Sequence, residues 1–321
     1  MTDQRDQLLA MVASLYYRLD QSQSEIAARL DLSPSTISRL IKEAREKGIV
    51  EIHVRMPIPR DLDLEQEIIK QFGLKDAYIL RTAPANNSDD AALLRGIGQL
   101  ATVYIRRMID SLQAGSSVGV AWGTGVHAAV SALPDHYARN IDVVQLLGGV
   151  GELVVDSPDL ARIIAQKLGG RHYDLHAPVL VERALVRDVL LQEPSVREGL
   201  LKAKSVNLAI TGLGAVQDEA SSFLRAGLLS RTDLSNLRKQ GLVGEICGHF
   251  YDIEGHCDGY EINQRIVAIE LNDLRRIPQS IAIARGPLKA QSIVGALKGK
   301  FIKVLATDDI TARAVLEAAP G

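Results

Sequence analysis

The chain has 321 residues, 46% apolar and 24% charged. This is ordinary globular usage; it excludes disordered and fibrous classes and, at about 150 residues per domain, points to two domains. With 37 Lys and Arg against 39 Asp and Glu the formal charge is -2, so there is no chain-wide basic field and any nucleic-acid contact must be local. Two cysteines, Cys247 and Cys257, are too few for a disulfide scaffold or a cysteine-built zinc site and suit a reducing cytosol.

The first apolar stretch, Leu8 to Tyr17, has acidic residues upstream and no small-residue cleavage pattern after it, so it does not read as a targeting signal. Its apolar residues at Leu8, Val12, Leu15 and Leu19 share one helix face. No uncharged apolar run approaches the roughly 18 residues of a membrane span, and the expectation is a soluble, cytoplasmic protein. A second helix is predicted from about Ser22 to Leu30, capped by Ser22 or Ser24, with Ile26, Ala27 and Leu30 inward. Asp31-Leu32-Ser33 interrupts it. Ser33 as cap and Pro34 in the first turn open a third helix whose apolar face is Ile37, Leu40, Ile41 and Ala44. Gly48 ends that helix, and Ile49 to Val54 alternates as a short strand. The prolines of Met56-Pro-Ile-Pro-Arg60 set the boundary between a domain at 1–55 and one at 56–321.

Gln23 to Lys42 has the form of a helix-turn-helix. Small Ala27 lets the two helices approach, Leu32 is expected to fill the corner, and Ile37 with Leu40 pins the second helix on the first. That leaves Ser35, Thr36, Ser38, Arg39 and Lys42 facing solvent. Short hydroxyls near the helix start and Arg39 one turn on suit base edges in a major groove, and Lys42, Arg45 and Lys47 suit phosphates. Pro34 to Lys47 carries four basic and two acidic residues, a local +2 in a near-neutral chain. A surface helical hairpin is the plainer alternative; the coincidence of small-residue, corner and cap signals favours a unit that binds double-stranded DNA.

The 56–321 region opens with a helix at Leu62 to Phe72, a strand at Ala77 to Leu80, a polar loop at Pro84 to Ser88 and a long helix from about Asp89 to Leu112. Short apolar strands then alternate with helices. The strands are Ser117 to Ala121, Val143 to Leu147, Val206 to Thr211, Ile281 to Ala284 and Ile302 to Ala306. The helices are Val126 to Leu133, Leu160 to Leu168, Ser222 to Leu229, Leu288 to Leu297 and Thr311 to Ala318. Such continuous Val/Ile/Leu runs fit strands buried on both faces of a parallel α/β sheet.

Ser117 to Gly125 reads as a strand, a Gly-rich turn and a helix start, which presents backbone N–H groups and the Thr124 hydroxyl to an anion. It lacks the G-x-G-x-x-G spacing, as do Gly149-Val-Gly151 and Gly212-Leu-Gly214, and no Walker sequence occurs. Four more segments are placed just beyond strands: Gln145 to Gly149, Thr211 to Gly214, Gly244 to Gly248 and Ala284 to Lys289. Ligands bind outside the carboxyl ends of strands in open α/β sheets, so these loops are expected to converge. Gln145 and Glu245 then offer groups for sugar hydroxyls, and Arg285 and Lys289 offer cations for a phosphate.

The helix-turn-helix followed by Val120-Ala-Trp-Gly-Thr124, Gln145-Leu-Leu-Gly-Gly149, Gly244-Glu-Ile-Cys-Gly-His-Phe-Tyr-Asp252, the Lys289 segment and Ala306-Thr-Asp-Asp-Ile-Thr-Ala312 resembles the SorC family of bacterial sugar-responsive transcription regulators. The resemblance spans essentially the whole chain. It implies a small α-helical DNA-binding domain and a larger α/β effector domain related in fold to sugar-phosphate isomerases and deaminases. It further implies assembly as dimers or tetramers, an operator as DNA partner and a sugar, polyol or sugar phosphate as effector; no cofactor is expected. Its effector residues map onto Gly123, Thr124, Gln145, Glu245 and Lys289. Many members have Asp at the Glu245 position, Arg at the His249 position and Gly-Gly where this chain has Arg285-Gly286, so Arg285 adds a bulky charge to a ligand loop.

The rival function is an enzyme acting on a sugar phosphate with Glu245 as base, because the implied fold is an isomerase fold. The N-terminal domain argues against it. A metal-dependent reading would use His172, Asp174 and His176, or His249, His256, Cys247 and Cys257. The first set sits on an extended segment and the second fits no common zinc spacing, so these are expected to be structural or surface residues.

Overall fold

The computed structural model describes residues 2–50, 58–82, 89–135, 137–150 and 159–319. It divides into two compact units, Met1–Pro57 and Ile58–Gly321. The strand expected at Ile49 to Val54, the loop at Pro84 to Ser88, most of the proline boundary and Gly151 fall largely or wholly outside the described residues.

The first unit is three helices, α1 (Thr2–Tyr17), α2 (Gln23–Leu30) and α3 (Pro34–Glu46). Ser22 caps α2 in a reciprocal box with Glu25, and Ser33 caps α3 directly ahead of Pro34. Between them Asp31 adopts φ 53°, the left-handed conformation that ends α2, and Leu32 donates its N–H back to the Ala27 carbonyl at 2.9 Å. The core is Leu9, Val12, Ala13, Leu15, Ile26, Ala27, Ile37, Leu40, Ile41 and Ala44. Two expectations need correcting. Leu32 is exposed and fills no corner, because the turn is closed by backbone bonds to Ala27. Leu19 is exposed beyond the end of α1, and Leu9 takes the inward position instead.

The second unit begins with α4 (Leu62–Phe72), β1 (Asp76–Leu80), α5 (Asp90–Ser111), β2 (Ser117–Val120), α6 (Thr124–Ser131), β3 (Asp142–Gln145), α7 (Asp159–Leu168) and β4 (His172–Tyr173). It continues with α8 (Ala184–Leu190), α9 (Pro194–Lys204), β5 (Leu208–Gly212), β6 (Gly214–Ala215), α10 (Ser222–Arg225), α11 (Arg231–Lys239), β7 (Leu242–Ile246) and β8 (His249–Asp252). The last elements are α12 (Leu271–Arg276), β9 (Gln279–Ile283), α13 (Ala290–Lys298), β10 (Val304–Asp308) and α14 (Asp309–Ala318). A parallel seven-stranded sheet has the order β1-β10-β9-β5-β2-β3-β4, and β6, β7 and β8 form a separate antiparallel sheet.

Alternate residues of the strands enter opposite cores. Tyr78, Leu80, Leu208, Ile210, Ile281 and Ile283 pack on one face, and Ala77, Ile79, Ala209, Ala282 and Leu305 pack on the other. Continuous apolar runs are what a sheet covered on both faces requires. From β2 the chain steps outward to β3 and β4, whereas β5 returns to the other side of β2 and later strands continue away from it. The strand order therefore reverses between β2 and β5, where Val118 is in register with Leu208 and Val120 with Ile210. The crevice beyond their carboxyl ends is where an α/β sheet holds a ligand.

The structure corrects the placement of Gly244 to Gly248. This segment is not a loop after a parallel strand. It is the end of β7 and the two-residue turn into β8, with Cys247 at φ 49° and Gly248 at φ 83°, the positive angles that such a hairpin turn demands. Helix α10 also stops at Arg225, four residues before Leu229.

Candidate effector site and candidate DNA interface

At the reversal point, β2 hands over to α6 through Trp122, which packs on Phe223 with ring centroids 5.7 Å apart. Gly123 at φ 132° is the cap residue of α6 and supplies no side-chain cap bond, so the first-turn N–H groups are left without a side-chain acceptor. Gly125 lies so close to the end of β9 that a Cβ there would stand 2.8 Å from the Ile283 carbonyl. The strand-turn-helix unit is thereby fixed against β9.

Glu245 comes to the same place from the antiparallel sheet. It is buried; Oε1 accepts from the Ser222 hydroxyl at 2.8 Å and Oε2 from the Gly248 N–H at 3.1 Å. Gly214, its partner in β6, makes room for it, since a Cβ on Gly214 would stand 2.1 Å from Glu245 Oε1. Lys289, at the N-terminus of α13, donates from Nζ to the Leu213 carbonyl at 2.6 Å. Burial pulls its pKa down to about 8, Glu245 acts in the opposite direction, and Arg225 and Arg285 push it further down.

Gly123, Thr124, Gly214, Ser222, Arg225, Glu245, Cys247 and Lys289 line an inner recess of about 30 Å³. An outer cleft of about 560 Å³ shares Thr124, Gly125, Arg225, Ile283 and Lys289 with it and adds Asp90, Arg285 and Gly286. Arg285 is not free. Its Nη2 lies 2.5 Å from Asp90 Oδ1 and its Nη1 donates to the Asp90 carbonyl at 3.3 Å, which holds the Asp90 carboxyl below its ordinary range. Gln145 lines an adjoining recess of about 20 Å³, which shares Ala121, Trp122 and Leu147 with the inner one, and its Oε1 accepts from the Leu175 N–H at 2.9 Å. Of the expected effector residues, the structure brings together Gly123, Thr124, Glu245 and Lys289, sets Arg285 at the outer cleft and places Gln145 in the adjoining recess. Sequence reasoning missed Arg225 and Ser222. Both belong to α10, and only a basic residue one turn after a serine hinted at them.

Among the described residues no group of three or more His, Cys, Asp or Glu is disposed to hold a metal ion. His256 pairs with Asp252 at 3.1 Å and His172 with Asp174 at 3.6 Å. Burial pushes His249 down to about 3 and so keeps it neutral.

In the first unit Ser35, Ser38, Arg39, Lys42 and Arg45 are exposed on α3. Thr36 is half-buried, and its hydroxyl and that of Ser35 each lie 2.8 Å from Ser33 Oγ, inside the cap. Arg39 has no ion pair among the described residues, Lys42 lies 3.7 Å from Glu46, and Arg45 stands over the Tyr17 ring at 5.9 Å. Lys47, expected at phosphates, is paired with Asp6 at 2.8 Å and stays part-exposed.

Comparison with known proteins places these units. Residues 56–317 match the sugar-binding domain family (Sugar-bind) and residues 20–51 match a winged helix-turn-helix DNA-binding family. The chain is 33% identical over 319 residues to the deoxyribonucleoside regulator of Bacillus subtilis, covering 98% of this chain and 99% of the relative. It is 31% identical over 316 residues to the sorbitol operon regulator of Klebsiella pneumoniae, covering 97% and 98%. The crystal structure of the full-length sorbitol operon regulator SorC from Klebsiella pneumoniae superposes with a TM-score of 0.78 at 29% identity, over 97% of this chain and 98% of that one. The sugar-binding domain of a transcriptional repressor from Vibrio fischeri gives 0.70 at 30% identity, over 80% and 98%. A helix-turn-helix joined to a sugar-binding α/β domain, matched end to end by sugar-operon regulators, makes this chain a member of the SorC family of sugar-responsive, DNA-binding transcription regulators.

Proposed function

We propose that the effector is a phosphorylated sugar or polyol, seated at the β2/β5 reversal point with its phosphate between the start of α6 and the cations Lys289 and Arg225. The carrying observation is that two cations from different elements, Arg225 of α10 and Lys289 at the start of α13, with Arg285 behind them, line the same cleft as a helix N-terminus that has no side-chain cap. The hydroxyl end then faces Glu245, whose buried carboxylate suits sugar O–H donors. The names of the deoxyribonucleoside and sorbitol relatives fit an effector of the sugar and polyol class. Calorimetry with matched free and phosphorylated sugars tests the assignment. Tight binding of the phosphate ester alone is the expected result, and tight binding of the free sugar alone overturns it.

Residues 1–55 form the operator-reading unit and 56–321 the effector unit. Arg39 reads a base edge, Ser35, Thr36 and Ser38 lie along the groove, and Lys42 and Arg45 hold phosphates. One helix-turn-helix reads too few base pairs to select a genomic site, so at least two copies act together on the operator. The protein works in the cytoplasm and binds its effector without turning it over, a reading supported by relatives that are named as regulators and not as enzymes. Incubation of sugar phosphates with the protein is expected to return them unchanged.

A further inference from the structure

A polar cavity of about 200 Å³ is walled by the start of β8, the segment that follows β8, the start of α12 and Arg187 of α8. It shares no described lining residue with the inner recess or the outer cleft of the effector site. His249 stands in its wall, only 3% exposed, and Nε2 of that ring has no hydrogen-bond partner. Burial keeps the imidazole neutral, and the Ile269 carbonyl accepts a hydrogen bond from it. The donor is therefore Nδ1, and Nε2 carries a bare lone pair. Glu270 Oε2, a second acceptor, lies 4.0 Å from it. Buried acceptors in folded proteins are almost always paired, so this one asks for a donor between the two.

The part-buried donors of the walls are already engaged. Arg187 donates from Nε to the Ile266 carbonyl at 2.7 Å and from Nη2 to Glu270 Oε1, and its Nη1 lies 3.7 Å from Asp188. Asn263 donates from Nδ2 to the Phe250 and Cys257 carbonyls, both at 2.8 Å, and the Tyr260 hydroxyl goes to Asp252. The amides of Gln264 and Asn272 stand at the exposed rim. What remains is acceptors: His249 Nε2, Glu270 Oε2 and the exposed carboxylate of Asp258, which has no ion pair among the described residues. With one cation, Arg187, and two anions, Glu270 and Asp258, the wall is net negative.

We propose that this cavity is a second ligand site, for a free small molecule bearing a primary ammonium group that donates to His249 Nε2 and Glu270 Oε2 while Asp258 adds charge at the rim. An ammonium brings three donors, no acceptor and one positive charge, which is what the walls lack. Water or a sugar hydroxyl supplies donors but no charge. A metal ion is disfavoured, because the described residues hold no group of three or more His, Cys, Asp or Glu disposed to bind one. Across the hairpin His249 pairs with Ile246, and the Gly248 N–H in the turn holds Glu245, so the occupant lies one hairpin turn from the effector carboxylate. The site rests on neither the operator reading nor the phosphate reading.

Calorimetry of n-butylammonium chloride on the full chain tests it, with n-butanol as the neutral isostere and sodium chloride as the ionic control. Saturable binding of the ammonium alone, at about 1 mM or tighter, is the expected result. His249→Phe keeps a ring and removes the acceptor; Glu270→Gln keeps an acceptor for Arg187 and removes the charge. Each should weaken binding by about tenfold or more. Asp258→Asn should weaken it by about threefold, as suits an exposed charge. Glu270 and Asp258 are exposed, so their variants decide the matter if His249→Phe does not fold. No saturation by about 10 mM, equal binding of butanol, or unchanged affinity in any of these variants that folds would each overturn the proposal.

Discussion

A phosphate seated at Lys289, as proposed, makes effector affinity a function of pH. The Nζ of Lys289 is held at the Leu213 carbonyl in the cleft, and burial pulls its pKa down to about 8. A phosphate ester is already dianionic above pH 7, so from pH 7 to 10 Lys289 is the cleft group whose charge changes. Binding needs the ammonium. As pH rises through the depressed value, affinity should therefore fall by about tenfold per pH unit, reaching about thirtyfold at pH 9.5. The decline stops once the full worth of the charge-assisted bond, about 1.5 to 3 kcal/mol or roughly 10- to 150-fold, has been lost. Calorimetry of a phosphorylated sugar at fixed ionic strength across this range measures it. Lys289→Ala should start at the weakened level and stay flat, while Lys289→Arg should stay tight and flat, because a guanidinium does not titrate there. Parallel falling profiles in the wild-type and Lys289→Arg chains would refute the assignment, and so would a Lys289→Ala chain of undiminished affinity.

On α3, Arg39→Ala should cost about 1 to 3 kcal/mol of specific operator affinity and relax base preference, whereas Lys42→Ala should weaken all sequences alike and flatten the salt dependence; titrations on operator and random duplexes separate the two. Gly214→Ala should abolish effector binding in a folded protein, because its new Cβ would stand 2.1 Å from Glu245 Oε1 and displace that carboxylate; a variant that binds normally would remove Glu245 from the site. Gly98→Ala should instead lower thermal stability by about 2 kcal/mol or more, since its Cβ would stand 2.5 Å from the Ala128 carbonyl carbon where α5 packs on α6.

The parallel sheet was legible because strands buried on both faces leave apolar runs with no polar alternation. Val118 and Val120 serve one core while Val144 and Leu146 serve the other. The helix-turn-helix was legible for a different reason, since its caps are local: Ser22 bonds to Glu25 and Ser33 to Thr36, each within three residues. Leu32 was misread because a turn corner can be closed by apolar packing or by backbone bonds, and the sequence pattern is the same for both. The β7–β8 hairpin escaped because its turn is Cys247-Gly248 instead of Asn-Gly or Asp-Gly, so the signal that normally announces a hairpin was half missing.

The effector site was legible at its loops and not in its electrostatics. A sequence shows which side chains are cationic but not which are already paired, and the two facts pull against each other here. Arg285 stands out as the departure from Gly-Gly, yet it is paired with Asp90 at 2.5 Å. Arg225 does not stand out, because nothing near it in sequence marks a ligand loop, yet it lines both the inner recess and the outer cleft and acts on Lys289. Gln145 accepts from the Leu175 N–H through Oε1, in a recess that adjoins the inner one along Ala121, Trp122 and Leu147. The proposed preference for an anion rests on Lys289 and Arg225 together, one from the loop after β9 and one from α10. Long-range pairing of that kind is set by the order of strands around the reversal point, which no local pattern encodes.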